Sequence, residues 1–251
     1  MGWALLALAP LAAVAGSPIN QRKAAEAAGQ VEISNTAGSV TVSGWNRNEV
    51  EVTGELGEGS ERLDFTTTGK LTRIKVILPN KSYGVDGTDL VVKVPAGSGL
   101  YVNTVSADLH VTGVQGAQRL QSVSGDARVS RVAGEVNGNT VSGNFNLELG
   151  DTSRSRLRST SGDLGVSTRP SADARFDIES ISGDVRLDLA GPPDAEFEVT
   201  SFNGEIRNCM GPKAVRTSEY APGRELRFRE GAGSARVRIK TLNGDISVCR
   251  K

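Results

Sequence analysis

The hydrophobic and polar positions of this chain follow a short pattern that returns, with small changes, along most of its length. Its clearest copy is Ser122-Val-Ser-Gly-Asp-Ala-Arg-Val129. We call the central glycine of each copy the marker. Apolar residues stand two and four places after the marker, as Ala127 and Val129 do here. This alternation predicts a half-buried strand after each marker.

A second alternating run precedes the marker, with apolar residues at minus seven and minus five, as at Phe176 and Ile178. The next apolar position is minus two, an odd step, so the alternation breaks and the chain must turn a corner. The markers are Gly38, Gly125, Gly143, Gly162, Gly183, Gly204 and Gly244, with Ala107 at the same position of one more copy.

Position minus three is Ser or Thr in seven copies: Thr104, Ser122, Thr140, Ser159, Ser180, Ser201 and Thr241. We expect these hydroxyls to bond nearby backbone groups where the strand bends. The marker glycines should supply either a positive φ or an inward position without a side chain.

The markers from 107 to 204 are 18 to 21 residues apart, a period typical of solenoids. Each repeat reads as strand, bend and strand, which cannot bury its apolar face alone. The sequence therefore predicts an all-β protein, a single-stranded parallel β-helix with an irregular N-terminal β cap. We expect a right-handed winding from the usual hand of parallel crossovers.

The domain organisation follows from where the pattern holds. Residues 1–15 form an apolar run ending in Ala13-Val-Ala15, which predicts a secretory signal too short to span a bilayer permanently. We expect 16–30 to be a linker or arm, and 31–251 to be one solenoid domain. Within it, 31–99 would form the cap and first coils, 100–208 the regular coils, and 209–251 an excursion and a final coil. Export to the periplasm or the cell surface follows, without stable membrane insertion.

The two cysteines indicate how the chain is arranged between the last two markers, Gly204 and Gly244, which are two periods apart. Cys209 and Cys249 each stand five residues after their marker. If a whole coil lay between them, their Cα atoms would be about 9 to 10 Å apart, which is too far for a disulfide. Two cysteines in an exported chain predict a disulfide. We therefore expect adjacent coils, with residues from Met210 to about Ala235 leaving the stack as a loop and hairpin.

An acidic residue follows most markers, and stacked coils would align these residues in a row that we call the acidic ladder. Its members are Asp108, Asp126, Asp163, Asp184, Glu205 and Asp245, with Asn144 interrupting. Ca²⁺ could relieve the repulsion of such a row. Asp or Asn beside Gly is also ordinary turn chemistry, which we favour, so no metal site is predicted.

Composition and charge exclude several classes of function. The chain has 29 basic and 29 acidic residues, so no nucleic-acid partner is predicted. His110, the one histidine, lies at an outward strand position without a nucleophile nearby, and no catalytic or cofactor-binding residue is predicted. Residues 205–240 hold nine Lys or Arg against four Glu, which leaves a reader of anionic lipid or glycan as an alternative to a solvated surface.

The repeated Ser-Gly-Asp, the entry Val31-Glu-Ile-Ser-Asn-Thr-Ala-Gly-Ser-Val-Thr-Val-Ser-Gly-Trp45 and the closing Thr241-Leu-Asn-Gly-Asp-Ile-Ser-Val248 resemble the bacterial "putative adhesin" domain family. The resemblance covers roughly residues 31–249 and implies a β-helical, non-enzymatic envelope or surface protein. We expect an adhesive or structural role, with an envelope protein or glycan as partner. The alternatives are a polysaccharide-acting β-helix lyase or hydrolase, and an envelope-stress scaffold or sensor.

Overall fold

The computed structural model describes residues 16–79, 86–220 and 222–251, and these form nineteen β-strands of one continuous sheet. The predicted signal segment, 1–15, lies outside the described residues. Six strands precede the regular coils: β1 Ser17–Ala24, β2 Gln30–Trp45, β3 Glu49–Leu56, β4 Arg62–Thr68, β5 Leu71–Ile77 and β6 Thr88–Pro95.

The remaining strands follow the repeats. The central ones are β7 Gly99–Thr112, β8 Gln118–Ser122, β9 Ala127–Thr140, β10 Phe145–Ser159, β11 Leu164–Thr168, β12 Arg175–Ser180 and β13 Val185–Leu189. The last ones are β14 Ala195–Asn203, β15 Ile206–Asn208, β16 Val215–Arg216, β17 Arg224–Glu230, β18 Ala235–Asn243 and β19 Ile246–Arg250.

The repeats stack as coils whose strands pair in parallel, as the period predicts. Before the corner, one row of paired residues runs Val102, Leu120, Gly138, Leu157, Ile178, Ile239 and Val199. After the corner, a second row runs Leu109, Ala127, Phe145, Leu164, Val185, Ile246 and Ile206. These inward rows belong to one hydrophobic core that extends from Ile19 to Val248.

The order of the coils in space differs from their order in the chain at the C-terminal end. Strands β18 and β19 pair with β12 and β13 on one side and with β14 and β15 on the other. The last coil of the sequence is therefore inserted between two earlier ones. The excursion from Met210 becomes β16 and β17, and β17 pairs antiparallel with the edge strand β14.

The same arrangement occurs at the N-terminal end. Strand β2 lies between the coil of β5 and β6 and the coil of β7. Antiparallel strands lie outside these coils, β4 beside β5 and β3 beside β6. The hand of the winding stays a prediction.

Residues 16–30, expected as an arm, include a strand instead. Strand β1 pairs antiparallel with β3 along its whole length, and Ile19 is buried. The Lys- and Ala-rich composition of this segment favours a helical turn in isolation. The open edge of β3 offers a row of backbone hydrogen-bonding groups, and pairing with it outweighs local propensity.

Cys209 and Cys249 form a disulfide, with Cα atoms 4.8 Å apart. Cys209 follows β15, and Cys249 lies in β19, so the bond joins the inserted coil to the outermost one. The backbone supports the same contact, because Cys209 N–H donates to the Val248 carbonyl at 3.0 Å.

Candidate functional site at the repeated corner

The hydroxyl at minus three is buried in all seven copies, and in four of them it bonds the backbone of its own corner. Ser122 Oγ donates to the Gly125 carbonyl at 2.9 Å, and Thr140 Oγ1 donates to the Gly143 carbonyl at 2.9 Å. In the coil of Ser180 the marker's N–H donates to the hydroxyl, at 2.9 Å. These buried hydroxyls hold the bend that the sequence predicts.

The marker glycines are required by close packing of successive corners. A Cβ atom on Gly143 would lie 2.0 Å from the Gly125 carbonyl oxygen, and one on Gly162 would lie 2.0 Å from that of Gly143. Of the predicted markers Gly38 alone has a positive φ, at 101°. Elsewhere the inward position without a side chain is the reason for glycine.

The acidic ladder is a chain of hydrogen bonds between coils. Asp126 N–H donates to Asp108 Oδ1 at 3.0 Å, and Asn144 N–H donates to Asp126 Oδ1 at 2.9 Å. The pattern continues through Asn144, Asp163, Asp184 and Asp245, each accepting from the next coil at 2.8 to 2.9 Å. Each side chain caps a backbone N–H that has turned out of the strand at the corner.

This role explains both exceptions in the ladder. Asn144 interrupts the negative charge without interrupting the bonds, since its amide oxygen accepts from Asp163 N–H. Glu205 belongs to the outermost coil, where no further corner follows, and it pairs with Arg224 instead. Within the described residues, no group of three or more acidic, His or Cys side chains is arranged to hold a metal ion.

The residue at minus two points outward at every corner and forms a row that we call the apolar corner row. It consists of Val105, Val123, Val141, Ile181, Leu242 and Phe202, with Thr160 between Val141 and Ile181. Their exposed fractions lie between 41% and 50%. Backbone bonds such as Ser142 N–H to the Val123 carbonyl, at 2.8 Å, hold the corners in register.

Two polar rows accompany the apolar corner row on the side that follows it in the chain. The position after it is an exposed Ser or Asn, and the acidic ladder lies two positions further along. One oxygen of each ladder aspartate accepts the backbone bond. A row of exposed apolar side chains, interrupted once by Thr160, therefore runs parallel to a line of acidic residues.

The other candidate residues lie apart from this corner. His110 is exposed on β7, opposite Arg128 of β9. Basic and acidic side chains on the outer surface of the strands before the corner form ion pairs between coils, including Arg158 with Glu179 at 3.0 Å and Arg238 with Glu198 at 3.5 Å. No helix within the described ranges is long and apolar enough to cross a membrane.

Sequence reasoning located the corner but missed the outward direction of the minus-two side chains. The signal was available: an apolar residue one place after an inward hydroxyl must point away from the core if the strand continues to alternate. The interleaved order of the terminal coils had no such signal.

The all-β architecture of stacked coils and corners defines a solenoid-like class of β protein. The chain belongs to the Toastrack DUF4097 family, whose sequence pattern matches residues 18–249. No curated protein matches the sequence.

Two solved bacterial structures are similar to this chain. A "putative adhesin" from Bacteroides fragilis NCTC 9343 is 11% identical, with a TM-score of 0.50 over 92% of this chain and 96% of that one. A "putative cell adhesion protein" from Clostridium sporogenes ATCC 15579 is 12% identical, with a TM-score of 0.37 over 94% of this chain and 100% of that one. At 11% identity the likeness to the Bacteroides fragilis structure concerns the fold alone.

Proposed function

We propose that this chain is an exported, non-enzymatic protein of the cell envelope or cell surface that binds a partner protein through the apolar corner row. The observation that carries the proposal is the exposure of an aliphatic or aromatic side chain at six corners in one line. Contiguous exposed apolar surface of this kind marks interaction sites in soluble proteins.

The chemistry of the row favours a protein partner over a neutral glycan. Five of its six apolar members are Val, Ile or Leu, whereas sugar rings stack on aromatic side chains, and Phe202 is the only aromatic member. The adjacent acidic ladder complements basic residues on the partner. We therefore expect a partner that presents an apolar strip flanked by Lys or Arg.

The bonding of the ladder supports a non-enzymatic role over a polysaccharide-acting enzyme. Hydrolysis of a glycosidic bond needs two carboxyl groups at a set separation in a cleft. The aspartates of the ladder instead each accept a backbone N–H bond from the next coil. They also lie on an exposed corner at even spacing, with the same bond made in each coil.

The test uses an immobilised peptide of alternating Val and Lys as the probe, with an alternating Val and Glu peptide as charge control. We expect the oxidised protein from Gly16 onward to bind the Val/Lys peptide only. The triple variant Val123→Ser, Val141→Ser, Ile181→Ser should reduce binding at least tenfold. The matched variant Ser124→Ala, Ser142→Ala, Ser182→Ala, one residue away, should bind as the unmodified protein does.

The same titration is repeated with millimolar Ca²⁺ and with a chelator. Equal binding in both conditions supports the role of the ladder as a hydrogen-bond chain, and loss of binding with the chelator would instead make it a calcium site. Equal binding of both peptides, or full binding by the triple valine and isoleucine variant, would rule out the apolar corner row as the contact surface.

A further inference from the structure

A row of three arginines lies on the outer surface of the strands that lead into the corner. These arginines stand near the start of their strands, whereas the apolar corner row lies at the corner itself. Arg154 of β10 pairs in register with Arg175 of β12, and Arg175 pairs with Arg236 of β18. All three side chains are exposed. With strands about 4.8 Å apart, the three positions span about 10 Å along the stack.

This arginine row differs from the next two rows of residues paired across the same strands. We call each such row a level. Two residues further along the strands, Asp177 lies between Arg156 and Arg238, and Arg156 Nε is 3.4 Å from its carboxylate. Two residues beyond that, Glu179 lies between Arg158 and Lys240. At both levels the signs alternate, as a sheet requires for favourable neighbouring pairs.

At the level of the arginine row the signs do not alternate across the central positions. Arg175 has an arginine on each side, and like charges directly opposite are destabilising. Among the described residues, no carboxylate lies within salt-bridge distance of Arg175, whereas Arg236 reaches Glu196 at 3.9 Å. An acidic residue in place of Arg175 would have given the alternating charges that the neighbouring levels have.

We propose that the arginine row, Arg154, Arg175 and Arg236, is a binding site for a short linear oligophosphate that lies along the stack. Guanidinium groups bind phosphate oxygens in pairs of parallel N–H bonds, and three in line offer such donors to one chain along about 10 Å. The site is separate from the apolar corner row and does not depend on the function proposed for it.

The surroundings favour a narrow linear ligand over an anionic bilayer. Acidic residues lie one level away, about 7 Å along the strands, at Asp177 and Glu198. A flat anionic membrane would meet these carboxylates together with the arginines. A short linear chain lying on the row would meet three guanidinium groups, and Glu135 beside Arg154 and Glu196 beside Arg236 mark the ends of the site.

The test measures binding of linear tripolyphosphate by calorimetric titration at fixed ionic strength, with inorganic phosphate and vesicles of phosphatidic acid as separate arms. We expect saturable binding of tripolyphosphate, weaker binding of inorganic phosphate and no preference for the vesicles. Arg175→Gln should weaken tripolyphosphate binding at least tenfold. Arg238→Gln removes the same charge from the alternating level and should weaken it less than threefold.

A second readout separates this site from a structural role. In phosphate-free buffer, Arg175→Gln should raise Tm by about 2 °C because it relieves repulsion between neighbours, whereas Arg238→Gln should lower it. The proposal is overturned if the unmodified protein does not bind tripolyphosphate, if both variants lose affinity equally, or if vesicles bind more tightly than tripolyphosphate.

Discussion

At the scale of single residues, the corner is determined by three side-chain properties. A hydroxyl at minus three fits inside the bend, a glycine at the marker lets one corner approach the next, and an acceptor at plus one reaches the N–H of the following coil. All three properties depend on side-chain size and hydrogen bonding. The acceptor at plus one does not need to carry a charge.

The hydrogen bonds of the acidic ladder predict that Asn can replace Asp at a ladder position and that Ala cannot. Asp163→Ala would leave Asp184 N–H without the acceptor it now has at 2.9 Å. We expect a loss of about 1 kcal/mol, the net contribution of one hydrogen bond at an exposed position. Asp163→Asn should stay within about 0.5 kcal/mol of the unmodified protein, as Asn144 already shows that an amide serves. Urea denaturation measures both, and equal losses would contradict the hydrogen-bond role.

The close approach of the markers predicts that a single methyl group is costly. In Gly143→Ala the new Cβ would meet a backbone carbonyl, which cannot move independently of its coil. We expect destabilisation of about 3 kcal/mol, as for overpacked cores. Gly211→Ala is the control, because the nearest atom to its Cβ would be 3.7 Å away. Similar Tm values for the two variants would be inconsistent with tight stacking of the corners.

At the scale of the strands, both ends of the stack depend on pairing between segments distant in the chain. Strand β19 is paired on both sides, whereas β15 pairs with β19 alone and is three residues long. The disulfide compensates for this short edge, with a contribution of about 4 kcal/mol for a loop of this length in the chain-entropy model.

Reduction of the disulfide should therefore loosen the outer coil first. We expect amide hydrogen exchange to accelerate in residues 206–216 of the reduced protein and to change little in 235–250, although the latter come later in the chain. Mass spectrometry of exchanged peptides, oxidised against reduced, gives the comparison. Equal loss of protection in both segments would show that the disulfide stabilises the inserted coil as much as it stabilises the outermost coil.

The pairing of β1, β3 and β6 creates a pH-sensitive contact. Glu51 of β3 is 7% exposed and accepts from Lys93 Nζ at 2.8 Å and from Arg22. These hydrogen bonds and charges lower the pKa of Glu51 below its ordinary value of 4.5. A carboxyl with a lowered pKa stabilises the fold above the ordinary value, and this contribution is lost as pH falls through the folded-state pKa.

We expect the difference in stability between the Glu51 variant and the unmodified protein to depend on pH. Glu51→Gln should be less stable than the unmodified protein at pH 7, and the gap should narrow as the pH falls below about 4.5. Glu55→Gln, exposed on the same strand, should show no such gap. Urea titrations at several pH values measure both, and a gap that is constant with pH would exclude the charge as its cause.

At the scale of the whole molecule, one core extends from the N-terminal edge to the last coil. We therefore expect a single unfolding transition, in which Trp45 fluorescence and far-ultraviolet circular dichroism change together. Leu157→Ala, at a fully buried position in the middle of the stack, should lower stability by about 3 kcal/mol and shift both signals equally. Separate midpoints for the two signals would indicate that the ends unfold independently.

Much of the coil could be predicted from the sequence because its determinants are local. The hydroxyl at minus three and the glycine at the marker locate the corner, and the period gives the stacking of β7 to β13. The adjacency of the coils holding Cys209 and Cys249 also followed, since a disulfide limits the distance between Cα atoms.

The tertiary structure alone decided the rest. Strand β1 forms because β3 leaves an edge beside it, and β18 and β19 enter a gap that β14 and β15 leave when they skip one place in the stack. The arginine row exists only because Arg236, far along the chain, is inserted beside Arg175. Such neighbours are set by which strand edges meet in space, and the spacing of residues along the chain carries no record of that choice.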